Sequence, residues 1–558
     1  MKTIKKYIAC SLFLLALSGC DLTALNENPN EPTDDVDYNM MDPRLGSTLR
    51  NGLSIEGDDE QRVKSLMIDF FAQIGDGGGQ STKNYIMIED WSRRMYKRVQ
   101  SNVASLNIVI RNLSENTGGN DYSNSLALAK IWRVYVQMTG VDFFGPIPFP
   151  TYKEVEDNPP YKSVKDTYME FFAELDEAIA LIDKGASVPA FASSASDVFY
   201  GNDMSKWRKF ANSLRLRFAL RLSEIDPATC AAEAKKAVES GVFEGVADNA
   251  TIAPVANGDW GKDYNYTMFQ ITWASPINLT SSFEKLLTNI GGKEFPTYLI
   301  NKRKALTGDA GTPLSAIHPE KADPRATAMF DPGYNSGDWK GMPYALSPSV
   351  YNEDVKYKKN DYAEFGYLIK NGAPYKNRPY DIFLYEEVCF LKAEAALRGF
   401  ITGDAKAEYE KGVRASFDTW GVAADVDAYL ASNDKNLAGT SANFDDQAGA
   451  GNTALEKIIT QKYFAAFPDV SFESWNDKRR LNLPRMDVGI DRNELYYDAS
   501  NRDIKDPKNF IKRVQYPEQE ALINKAEYDK GVQLLGGPDN VATPLWWDKN
   551  KNYCTSAD

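Results

Sequence analysis

The 558-residue chain carries 64 Lys and Arg against 78 Asp and Glu, a formal net charge of −14, with a single histidine and five cysteines. An acidic body repels phosphate backbones and anionic lipid, which excludes nucleic acid as a partner and denies the chain a basic patch for membrane binding. One histidine rules out the two-histidine zinc motifs, and Cys230, Cys389 and Cys554, widely spaced with no CxxC pair, read as small buried hydrophobes.

The chain opens on an export leader, residues 1–19. Lys2, Lys5 and Lys6 precede an apolar run from Tyr7 to Leu17, too short for about 30 Å of hydrocarbon, and Leu17-Ser18-Gly19-Cys20 has the form of a lipobox. The segment resembles the bacterial lipoprotein signal, which implies cleavage before Cys20 and acylation of that residue. At about 0.8 kcal/mol per buried methylene, two or more acyl chains give a stable anchor. Residues 20–40, including Asn26-Glu27-Asn28-Pro29-Asn30-Glu31-Pro32, are polar, acidic and proline-punctuated, as suits an extended lipidated tether. Residues 41–558 are expected to form a single domain, because stacked helical pairs escape the usual limit on domain size. No later apolar run approaches membrane-spanning length.

Helical spacing follows the tether. Val164, Tyr168, Phe171, Leu175, Ile179 and Ile182 recur at steps of three and four, Ser163 and Asp166 fit a capping box, and Gly185 supplies a stop. A second helix begins near Ser205, buries Trp207, Phe210, Leu214, Phe218 and Leu222, and ends at Asp226-Pro227; a third spans about Thr229 to Ser240. From Phe383 to Ser416, a helix with Ala393-Glu394-Ala395-Ala396 stops at Arg398-Gly399, and a second helix carries Ala405, Tyr409, Gly412, Val413 and Ala415. Small residues on facing sides let two helices approach closely, so the unit resembles a tetratricopeptide pair. The expected fold class is all-α, tetratricopeptide-like pairs with long loop-rich insertions forming a ligand-binding face.

Two regions escape the helical period. Residues 241–280 and 305–380 are rich in Gly, Pro, Asn and Asp and carry Trp260, Tyr264, Tyr266, Trp273, Tyr334, Trp339, Tyr344, Tyr351, Tyr362 and Tyr367. Long irregular segments in compact bodies are usually functional.

Several blocks resemble, in order, the SusD/RagB family of outer-membrane lipoproteins from Bacteroidetes. They are the lipobox at Cys20, Thr139-Gly140-Val141-Asp142-Phe143-Phe144-Gly145-Pro146-Ile147-Pro148, Trp207 through Arg217, Tyr385 through Ala395, Trp475-Asn476-Asp477-Lys478-Arg479-Arg480, and Arg513-Val514-Gln515-Tyr516-Pro517. The resemblance implies about four tetratricopeptide-like pairs with a ligand face of loops. It implies a lid for a SusC-like TonB-dependent transporter in the outer membrane, surface-exposed, capturing an oligosaccharide or, in some members, a peptide. Some relatives bind calcium; no EF-hand spacing is present here, so the metal stays open. Gly145-Pro146 replaces the Gly-Asp of many relatives, and that stretch is assigned no ligand role.

Sugar rings expose apolar C–H faces and hydroxyl edges, so a glycan site needs flat aromatic platforms flanked by amides and carboxylates. Trp260, Tyr264, Tyr266 and Trp273 lie among Asp259, Asp263, Asn265 and Gln270; Trp339, Tyr344 and Tyr85, the last following Asp76-Gly77-Gly78-Gly79-Gln80, complete the candidate set. Glu386 and Glu387 project about 100° apart on a helix and cannot flank one glycosidic bond, so they read as helix-surface charge. Arg479 and Arg480 read as structural ion-pair partners, and His318 as a surface loop residue. The competing classes are a lipid-anchored glycoside hydrolase, which needs two separated carboxylates, and a solute-binding lipoprotein, which needs an absent βαβ alternation.

Overall fold

A computed structural model describes residues 41–53, 72–73, 89–115, 121–153, 158–185, 187–253, 277–296, 317–333, 337–342, 362–365, 379–486, 510–549, 551 and 553. Cys20 and the tether lie outside the described residues. The body is built on helices α1 (Met41–Asn51), α2 (Glu89–Glu115), α3 (Ser123–Phe144), α4 (Val164–Asp183), α5 (Met204–Arg221) and α6 (Pro227–Ser240). The second half adds α7 (Ser281–Leu287), α8 (Tyr385–Leu397), α9 (Ala405–Thr419), α10 (Ala454–Ala466), α11 (Ser471–Leu481), α12 (Glu518–Ile523) and α13 (Lys525–Leu535).

The three periodic segments fold as helices, although α5 ends at Arg221 and turns, rather than helix, carry the chain to Asp226-Pro227. Ser163 Oγ accepts from Asp166 N at 3.1 Å to start α4, Tyr168, Phe171 and Leu175 are buried, and Gly185 ends it at φ 67°. Asp203 caps α5. The third helix, α6, starts two residues before its expected position because Pro227 occupies the first turn and Asp226 accepts from Thr229 N. Helices α8 and α9 form the tightest pair: a Cβ on Gly412 would lie 2.7 Å from Phe390 Cζ, so only glycine permits this approach. Likewise α2 packs on α3, α3 on α4 and α5 on α6, giving tetratricopeptide-like pairs around a continuous core.

Helix α3 is buried almost all round, and its last turn gathers three of the sequence blocks. Arg513 donates to Phe144 O at 3.0 and 2.8 Å, Val514 N to Phe143 O at 2.8 Å, and Arg479 Nη1 to Asp142 O at 2.7 Å. Helix α11, sequence SFESWNDKRRL, is wholly buried despite its charges because ion pairs, backbone carbonyls and ring faces receive them. Arg221 bridges Asp142 at 3.2 Å and Glu473 at 2.7 Å, Lys462 meets Asp477 at 2.9 Å, and Arg480 clamps Glu394 at 2.6 Å. Tyr168 and Trp547 donate to Asp142 at 2.6 and 3.1 Å. Arg480 is thus the ion-pair partner expected. Arg479 instead stacks over Trp475 at 3.5 Å and Trp547 at 4.6 Å.

Glu386 and Glu387 are not surface charges: both are buried, since α8 is covered by α5, α9 and α10. Glu387 accepts from Arg217 Nε and Nη2 at 2.9 and 2.7 Å. Glu386 accepts a 3.3 Å bond from Thr419 Oγ1, its Oε2 has no partner, and burial pushes its carboxyl up to about 7. Cys230 and Cys389 are buried free thiols as expected; Cys554 lies outside the described residues.

Within the loop-rich regions the described residues include a four-residue helix, Ala326–Met329, and several short antiparallel strands. Strand β1 (Ala72–Gln73) joins β5 (Ile277–Asn278), β7 (Glu364–Phe365) and β6 (Phe330–Asp331) in the order β1-β5-β7-β6. Elsewhere β2 (Ile147–Pro148) pairs with β3 (Tyr161–Lys162), and β4 (Ala250–Ile252) with β8 (Tyr380–Phe383).

Candidate functional site

The four-stranded sheet bounds the segments that carry most of the candidate aromatic residues. In the β1–β5 ladder Gln73 sits opposite Ile277 and Ala72 opposite Asn278. The chain leaving at residue 74, which carries Tyr85, therefore starts about 5 Å from where the chain carrying Trp260, Tyr264, Tyr266 and Trp273 returns. Asn278 faces Glu364 and Phe330 faces Phe365, so Phe365 lies level with Ile277 and residues 366 onward leave from the same end. The chain carrying Tyr344 returns at the opposite end, beside Tyr362. Trp260, Tyr264, Tyr266, Trp273, Tyr344 and Tyr85 themselves lie outside the described residues.

The platform beneath is rigid for identifiable reasons. Asn278 is fully buried and its Nδ2 donates to Tyr362 O and Ala363 O, both at 3.3 Å. Thr280 Oγ1 caps α7 by accepting from Phe283 N at 3.1 Å. Met342 N donates to Leu279 O at 2.7 Å, and Glu284 Oε2 accepts from Gly341 N at 2.8 Å. Burial raises the Glu284 carboxyl, and the Gly341 bond opposes that shift. A Cβ on Gly341 would lie 2.3 Å from Thr280 O, so glycine is required for this close backbone approach.

Phe283 carries the sheet onto the helical body, with its ring 5.0 Å from Tyr463 and 5.5 Å from Phe467. Below it, fully buried Arg325 donates to Asp323 Oδ1 and Oδ2 at 2.9 and 2.7 Å, Ser416 Oγ at 2.9 Å and Gln461 Oε1 at 2.7 Å. Its guanidinium lies 4.7 Å from the Phe417 ring and 5.1 Å from Phe464. A bonded hub of this kind holds the elements around it in one geometry.

Trp339 is not a ligand platform. It is 1% exposed, its Nε1 donates to Phe330 O at 3.1 Å, and its ring packs 5.5 Å from Phe295. With its indole N–H bonded and its surface spent on the core, it anchors β6; Tyr362 is buried likewise. Nothing in the polar sequence around Trp339 betrays this, because the partner Phe330 lies on a two-residue strand without a periodic signal. His318 is a loop residue but half-buried, stacked on Phe295 at 5.0 Å with Nδ1 2.8 Å from Pro319 O. Among the described residues no group of three or more His, Cys, Asp or Glu could hold a metal ion. No described helix is long and apolar enough to cross a membrane.

Residues 33–517 match the SusD-like family described as starch-binding and associating with the outer membrane. A crystal structure of a SusD homologue from Parabacteroides distasonis is 55% identical, covers 93% of this chain and 100% of its own, and superposes with a TM-score of 0.84. A chitin-binding SusD homologue from Flavobacterium johnsoniae is 24% identical over 92% of this chain and 99% of its own, with a TM-score of 0.68. A SusD-like protein from Bacteroides thetaiotaomicron, also 24% identical, covers 92% and 100% with a TM-score of 0.69. These two show the fold alone. No curated protein matches the chain.

Proposed function

Because the chain belongs to the SusD-like family, we propose that it is a non-catalytic glycan-binding lipoprotein of the outer membrane. In this reading Cys20 carries the lipid, the body faces outward, and captured oligosaccharide passes to a SusC-like TonB-dependent transporter. The observation that supports it best is the β1–β5 register, Gln73 opposite Ile277, from which the segment bearing Tyr85 departs and at which the segment bearing Trp260 to Trp273 ends. The chitin-binding Flavobacterium homologue, with the same fold, supports a sugar ligand.

Each aromatic platform contributes roughly 1 kcal/mol, and about 4 kcal/mol corresponds to a millimolar constant, so a few platforms give weak capture. Weak capture suits a protein that must release its cargo onward. Calorimetric titration of the mature protein with oligosaccharides of several linkages tests the reading. At least one oligosaccharide binds, no reducing ends appear, and Trp260→Ala with Trp273→Ala abolishes binding. Full binding by that double variant overturns the site assignment, and binding of peptides alone overturns the glycan reading.

A further inference from the structure

A cleft of about 400 Å³ lies between the start of α2 and the α12–α13 hairpin, lined by Glu89, Ser92, Gln515, Pro517, Leu522 and Tyr528. On its rim Leu522 is 82% exposed and the next residue, Ile523, 73%, the two most exposed large hydrophobic side chains among the described residues. Helix α12 buries none of its six residues, so this Leu-Ile pair adds nothing to the fold that displays it. Adjacent exposed apolar residues beside a cleft mark an interaction surface.

The charges around the rim select the occupant. The Glu518 backbone N–H donates to Glu89 Oε1 at 3.1 Å, which holds the Glu89 carboxylate against the residue that carries the second one. Burial, together with the charges of Glu518 and Asp90, raises the Glu89 carboxyl. The neighbouring cations are already taken: Arg93 and Arg94 by Asp90, Lys525 by Asp529 and Lys530 by Glu527. Among the described residues neither Glu89 nor Glu518 has a salt-bridge partner. An anionic lipid surface is repelled here, and a sugar finds aliphatic chains where it needs ring faces. A second copy of this acidic chain, net −14, is poorly matched in charge.

We infer that the cleft and the Leu522–Ile523 rim dock a protein partner that inserts an apolar side chain and presents a lysine or arginine to Glu89 and Glu518. Taking that partner to be the transporter rests on the function proposed above.

Tagged full-length protein, extracted with its outer membrane in mild detergent, tests both. The wild type recovers the transporter barrel, identified by mass spectrometry. Leu522→Asp with Ile523→Asp, and separately Glu89→Lys with Glu518→Lys, each recover it about tenfold less, a loss of about 1.4 kcal/mol. Both variants keep oligosaccharide binding, which controls for folding. Equal recovery by wild type and both variants overturns the docking surface while the transporter reading stands. No recovery by the wild type overturns the transporter reading, and with it this inference. A wild-type dimer in light scattering that both variants lose assigns the surface to a second copy, and overturns the inference.

Discussion

Glu386 is the residue whose surroundings match its chemistry least. Its Oε2 is buried without a partner beside Glu387, whose charge is committed to Arg217. Its carboxyl is pushed from 4.5 up to about 7, by burial first, so the folded state binds its proton more tightly than the unfolded chain. The stability linked to this proton is complete below 4.5 and is lost as pH rises through about 7. At about 1.4 kcal/mol per pH unit the loss is of order 3 kcal/mol. Glu386→Gln removes the titration, so urea midpoints of variant and wild type should diverge between about pH 5 and pH 8, the variant gaining as pH rises. Equal differences at both pH values would contradict this. Adjacent helical carboxylates were legible as unfit for glycosidase chemistry, yet their burial was not, because it comes from helices far away in sequence.

Among the elements, amphipathic helices were the most legible. Helix α4 carries its cap, stripe and stop in consecutive residues, and α5 and α6 nearly so. Helix α11 was not: Glu473, Asp477, Lys478, Arg479 and Arg480 give a polar pattern, and its burial rests on opposing charges from α5, α8 and α10 and on carbonyl oxygens distant in sequence. Removing one partner from such a network leaves an uncompensated charge, a loss of about 3–5 kcal/mol where a matched apolar replacement would lose little. The α8–α9 contact was legible from small residues. Gly412→Val forces methyl groups into the Phe390 ring, where a Cβ alone would lie 2.7 Å from Cζ, and should cost about 1–3 kcal/mol in denaturant midpoint while leaving oligosaccharide affinity unchanged. An unaltered midpoint would show that α9 can shift away from α8.

At the scale of the whole molecule, the helical scaffold and the family were readable from ordered sequence blocks, several of which meet at Asp142 and the end of α3. The sheet was not readable: its strands have two residues each and pair across long sequence distances, so no period-2 pattern marks them. That sheet nonetheless fixes where two of the ring-bearing segments leave and return, since Gln73 stands opposite Ile277. Hydrogen exchange of the mature protein with and without saturating oligosaccharide addresses this arrangement most directly. Slower exchange in peptides spanning 74–88 and 254–276, with residues 518–535 unchanged, is the predicted result. Protection confined to residues 518–535, or absent from both ring-bearing segments, would contradict it.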